Sequence, residues 1–141
     1  MIIEMEIHHT LAVAEMLQAM TEEVFPAHAS SELSVYLDYV SEARLSDTKW
    51  IFVDTELNGF FMVVDDLETI APTHHRHLAT KVYVKPAKRN SRLLFDFYEL
   101  LYSKFDEVIG VTEIGSRHIP VLEKRHERVA NVYRITKDRR R

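Results

Sequence analysis

A strand, a proline, a basic turn and an amphipathic helix follow one another from His77 to Phe105, and this stretch constrains the chain most. Ala79 to Val84 is short, rich in β-branched and aromatic residues, and closed by Pro86, so it predicts a strand that ends at the proline, which cannot donate to a sheet ladder. Lys88, Arg89, Asn90, Ser91 and Arg92 follow. Asn90 or Ser91 can cap the next helix by accepting a free backbone N–H. From there Leu93, Leu94, Phe97, Leu100, Leu101 and Phe105 recur on one helical face. The cations, the free N–H groups and the positive end of the helix dipole converge on one point, which suits an anion such as phosphate. Taken alone, the stretch reads first as a solvated basic turn.

The remaining chain supplies elements on either side of it. Ile2 to Ile7 alternates apolar and acidic residues and predicts an opening strand. Thr10 is placed to cap a helix with Val13, Met16, Leu17, Met20 and Val24 on its inner face, and Pro26 ends it. A second helix should start near Ser30 or Ser31, with Leu33, Tyr36, Leu37 and Val40 inward. Tyr36 and Tyr39 could line a cleft, although an aromatic stripe at helical spacing is usually core. Lys49 to Asp54 and Phe60 to Val64 are two apolar strands joined through Asn58-Gly59, a tight-hairpin signal. Asp65 to His77, which holds Pro72, reads as a loop. Glu107 to Ile114 predicts a strand, Pro120 to about Arg128 a short helix, and Val129 to Thr136 a last strand.

Composition narrows the functions open to such a chain. Its 141 residues, 46% hydrophobic and 28% charged, suit one globular domain with a real core. A net charge of −4 argues against a general nucleic-acid binder. The absence of cysteine excludes disulfides, thiolate catalysis and cysteine-based zinc sites, and fits a reducing cytoplasm. No apolar run is long enough to cross a membrane, and no signal peptide is apparent.

The eight histidines include a cluster at His74, His75 and His77. An extended chain would point His75 and His77 the same way, so the pair could chelate a metal with a third ligand from His8, His118 or His126. No carboxylate completes a familiar pattern, and the plainer reading is an exposed histidine-rich loop with no metal. One of these histidines could still serve as a general base. Glu113, near the end of an apolar strand, is a second candidate base whose pKa burial would raise. No Walker loop or dinucleotide fingerprint is present, and with three glycines in the chain most glycine-rich phosphate loops are excluded.

The order strand, two helices, hairpin, central strand, basic turn, helix, strand, helix, strand resembles the GNAT superfamily of acyl-CoA-dependent N-acyltransferases over nearly the whole chain. The resemblance implies an α/β (α+β type) single-domain fold over residues 1–141, its mixed, mostly antiparallel sheet splayed and flanked by helices. It also implies acetyl transfer from acetyl-CoA to a primary amine. Lys81 to Val84, with Tyr83, would pair through the backbone with the pantetheine arm, and Lys88, Arg89, Asn90, Ser91 and Arg92 would hold the pyrophosphate. In VKPAKRNSRLL, Val84, Pro86 and Arg89 match the family's turn, while Arg92 and Leu94 stand where it has glycines. Arg92 offers a direct phosphate ligand there. In Val121-Leu122-Glu123-Lys124, Leu122 takes the place of the family's acid-donating Tyr, which leaves Tyr133 as the nearest phenol beside the base Glu113. The acceptor would enter between the loop joining the first two helices and the last two strands. The alternative is a catalytically degenerate binding or regulatory protein of the same fold. A cytoplasmic location and a homodimer are compatible with the reading.

Overall fold

The structure is a computed structural model that describes residues 1–66 and 76–110. By its contacts the chain divides into Met1–Val111 and Thr112–Arg141, and the described residues lie in the first unit. Among the described residues five strands, β1 (Ile2–Glu4), β2 (Lys49–Asp54), β3 (Gly59–Asp66), β4 (Arg76–Val84) and β5 (Val108–Gly110), form one sheet in sequence order. The first three pairings are antiparallel and β4 with β5 is parallel. The helices are α1 (Thr10–Val24), α2 (Leu33–Leu45) and α3 (Leu93–Lys104).

The middle strands are buried on both faces, which explains their unbroken apolar runs in an otherwise antiparallel sheet. Ile51, Val53, Phe60, Met62 and Tyr83 pack with Val13, Leu17, Tyr36 and Val40 of α1 and α2. Phe52, Phe61 and Val63 turn the other way, onto Leu93, Phe97 and Leu101 of α3. Phe61 and Phe97 stack with centroids 4.2 Å apart at 12°. The α3 helix is thereby fixed to the sheet, and its first turn is held beside the end of β4.

Local chemistry shifts several boundaries from their sequence-based positions. The opening strand stops at Glu4, because Ile7–His9 forms a 3-10 turn in which buried His9 accepts the Glu6 N–H at Nδ1, 3.0 Å away. Thr10 is the first residue of α1 rather than its cap, and its hydroxyl donates to the Ile7 carbonyl at 2.7 Å. Val24 is not inward but 46% exposed. The second helix begins at Leu33, after the Ser30 hydroxyl has accepted the Glu32 N–H. Asp65 and His77 are paired strand residues rather than loop, so β3 and β4 are longer than their apolar runs. The carboxylate–imidazole contact between them, 2.9 Å from Oδ1 to Nε2, helps to hold that end together. His77 also lies against Trp50 and Phe105, which removes it from an exposed histidine loop. His74, His75 and Pro72 lie outside the described residues, as do the expected helix from Pro120 and the last strand from Val129.

The hairpin between β2 and β3 exists, but Asn58-Gly59 is not its two-residue turn. Val53 pairs with Phe60, and the left-handed residue is Leu57, at φ 59°. The Asp54 side chain accepts the Asn58 N–H and its carbonyl accepts the Leu57 N–H. Leu57 packs on the α1/α2 cluster, which offsets a left-handed penalty of roughly 1–2 kcal/mol. Gly59 is needed for space instead. A Cβ there would lie 2.7 Å from the Tyr83 carbonyl oxygen and 3.0 Å from Leu93 Cδ2. Gly59→Ala should therefore push β3 off β4 and α3 and lower stability by about 1–3 kcal/mol. Urea denaturation measures this, and an unchanged midpoint would refute the close approach.

Candidate functional site

The site is built on the second half of β4 and the turn that follows it. The β3–β4 register shifts between Met62, opposite Lys81, and Val63, opposite Ala79. Thr80 is therefore an extra residue, a β-bulge of the kind that breaks regular pairing and re-aims a strand. Its hydroxyl is buried without a hydrogen-bond partner among the described residues. On its other edge β4 pairs with β5 from His77 to Ala79. Among the described residues no strand continues that pairing past the bulge. Backbone groups of Thr80–Val84 directed to that edge are the ones a ligand could use.

Pro86–Lys88 then makes a 3-10 turn that leads into α3. Ser91 bridges it: its hydroxyl donates to the Lys88 carbonyl at 2.6 Å and accepts the Leu93 N–H at 3.3 Å. Of the two expected caps, Ser91 makes the bond, while Arg92 occupies the flanking position with φ −78° and ψ 3°. Asn90 is exposed in the turn. Among the described non-glycine residues only Leu57 has a positive φ. The turn therefore needs no glycine for its backbone conformation, and Arg92 and Leu94 sit in place of the family's glycines without left-handed strain.

The cations of the turn divide into two kinds. Arg89 donates from both Nη atoms to Glu23, each at 2.7 Å, and from Nε to the Val84 carbonyl at 3.0 Å. It ties the end of α1 to the end of β4 and lies over the Tyr83 ring, 5.8 Å from its centroid. The bond to Glu23 raises the Arg89 pKa further. Burial pushes the Tyr83 phenol up, against the opposing pull of Arg89. Sequence spacing could not show this pair, since Glu23 and Arg89 are 66 residues apart. Lys88 and Arg92 are different. Both are exposed, and among the described residues neither has a carboxylate within ion-pair distance. Both line a cavity of about 210 Å³ with Ser91, Asn58, Asp54, Glu56 and Asp96.

The remaining expected residues are placed as follows. Tyr83 is buried on the α1/α2 side and Val84 packs partly buried on the α3 side. Glu113 and Tyr133 lie outside the described residues. Tyr36 belongs to the core, with its hydroxyl accepting the Ser30 N–H at 2.8 Å. Among the described residues no three histidine or acidic side chains are grouped to hold a metal, and no helix is long and apolar enough to cross a membrane.

No family profile matches the sequence, and no curated protein matches it. Solved structures do. A possible acetyltransferase from Clostridium difficile 630 superposes with a TM-score of 0.73 at 15% identity, covering 96% of each chain. The acetyltransferase AAC(6')-Iy, in complex with a CoA-containing bisubstrate analogue, gives 0.73 at 14% identity over 97% of each chain. A ribosomal-protein-alanine N-acetyltransferase from Brucella melitensis biovar Abortus 2308 gives 0.74 at 12% identity, again over 97% of each. The chain has the GNAT fold, in a divergent form.

The Glu23–Arg89 pair is half exposed, at 45% and 33% of the side chains. Its bidentate geometry places it toward the upper end of the usual 0.2–1 kcal/mol for exposed pairs, about 1 kcal/mol. A double-mutant cycle with Glu23→Gln and Arg89→Gln should give that coupling at low salt and less at high salt. Zero coupling at low salt would mean the pair does not hold the turn.

Proposed function

We propose that the chain is one GNAT-like domain over residues 1–141 that transfers an acetyl group from acetyl-CoA to a primary amine. The observation that carries the reading is the junction of β4 and α3: beyond the bulge β4 has no second strand partner among the described residues, and it runs straight into a capped helix start flanked by Lys88 and Arg92, cations with no carboxylate partner among the described residues. The GNAT fold supports it, and AAC(6')-Iy carries a CoA-containing ligand on that same fold.

Acetyl-CoA supplies an activated thioester carbonyl. Backbone N–H groups of β4 near the bulge polarise its oxygen, in the manner of an oxyanion hole. The acceptor nitrogen attacks the carbonyl carbon, the C–S bond breaks, and CoA leaves as the thiol while the amine proton passes to a base. Glu113 is the proposed base and Tyr133 the proposed phenolic acid. Lys88 and Arg92 meet the pyrophosphate with the Ser91 cap and the first helical N–H groups, and Asn90 borders them. Tyr83 and Val84 contribute backbone to the pantetheine edge. Arg89 keeps the turn in shape and retains a second hydrogen on each Nη for phosphate. Leu122, in the place of the family's Tyr, makes the expected rate modest, since general acid–base help is worth roughly 10²–10⁴-fold.

CoA calorimetry combined with turnover against a panel of primary amines tests the reading. Binding with turnover is expected. Lys88→Ala and Arg92→Ala should each weaken CoA by roughly ten- to a hundredfold, the range of one charge-assisted hydrogen bond. CoA binding with no turnover on any amine would assign the non-catalytic binding protein, and no CoA binding would remove both.

A further inference from the structure

Lys49 of β2 and Lys81 of β4 converge on one ring from two different strands. The Nζ of Lys49 is 5.6 Å and that of Lys81 5.1 Å from the centroid of Tyr39 on α2. Lys81 also donates to the Tyr39 hydroxyl at 3.1 Å, and that hydroxyl contacts the Met62 sulfur at 3.6 Å. All three side chains belong to partly buried residues on the α1/α2 side of the sheet. Among the described residues neither ammonium has a carboxylate within ion-pair distance. The Tyr39 ring face and phenol oxygen are the partners these two ammonium groups have among the described residues, and such contacts are weaker than a charged partner. An anion that reached the two lysines at the ring would add charge-assisted contacts.

We propose that Lys49, Lys81 and Tyr39 bind a carboxylate, and that this carboxylate is carried by the amine acceptor. The second half of the proposal rests on the acetyl-transfer reading. Lys81 directly follows Thr80, the bulge residue whose buried hydroxyl has no partner among the described residues. A carboxylate held at Lys81 brings the rest of a small molecule to the bulge, where the β4 backbone is released from regular pairing. The acceptor class is therefore an amine that also bears a carboxylate, such as an amino acid or a short peptide. A neutral or polycationic amine lacks the group that the two lysines recognise.

The test has two arms on the full chain. In the first, succinate and succinamide are titrated into the protein while the Lys49 and Lys81 side-chain resonances are followed by NMR. Succinate should shift both, together with the Tyr39 ring resonances, and succinamide none of them, and Lys49→Gln with Lys81→Gln should abolish the Tyr39 response. No response to succinate, or an equal response to both compounds, overturns the site. The second arm compares glycylglycine with glycylglycinamide as acceptors. The carboxylate form should be preferred by roughly ten- to a hundredfold in kcat/KM, mainly through KM, and the double variant should lose the preference. Equal use of the two, or a preference that survives in the variant, overturns the acceptor assignment. Failure of the wild type to bind CoA in calorimetry would sink the transferase reading and the acceptor half with it, and the succinate arm would still decide the anion site.

Discussion

The unequal treatment of the two edges of β4 is the constraint on which the rest depends. One edge is paired to β3 from Arg76 to Val84, while the other meets β5 only from His77 to Ala79 among the described residues. A bulge at Thr80 separates the two regimes. Unpaired backbone polar groups beside a hydrophobic core are costly unless something else satisfies them. An extended ligand with amide groups can do so, in the way an added strand does. The core lies on both faces of these strands, with α1 and α2 packed on one and α3 on the other, so β3 and β4 are held from both sides.

Charge follows the same division of labour. Arg89, the residue of the turn that most resembles a phosphate ligand in sequence, is bound to Glu23 and to the Val84 carbonyl. It fixes the junction between strand and helix. Lys88 and Arg92 at that junction, and Lys49 and Lys81 on the α1/α2 side of the sheet, have no carboxylate within ion-pair distance among the described residues. One cation of the turn therefore ties the scaffold together, while these four make no ion pair among the described residues.

Much of the described fold is legible in the sequence because it follows from local pattern. Lys49 to Asp54 is a strand from end to end as its apolar run implies, and the inward faces of α1, α2 and α3 follow helical spacing except at Val24. The errors have physical sources. Asn58-Gly59 promised a two-residue turn, but Gly59 is required by a carbonyl at 2.7 Å, a long-range fact that looks the same in sequence as a local one. His77 looked like loop because its neighbours are polar, yet Asp65, Trp50 and Phe105 give it partners on three elements. The Lys81–Tyr39 contact spans 42 residues, and neither residue type at its own position signals a site. The roles of Glu113 and Tyr133 remain where sequence reasoning put them, since both lie outside the described residues.

The central claim is that β4 beyond its bulge offers backbone groups to an extended CoA-type ligand. Amide hydrogen exchange of Thr80–Val84, measured with and without saturating CoA, tests it most directly. The account predicts that amides in this segment which exchange readily in the free protein become strongly protected, while those already bonded to β3 change little. Tight CoA binding that leaves every amide from Thr80 to Val84 exchanging at its free-protein rate would contradict it.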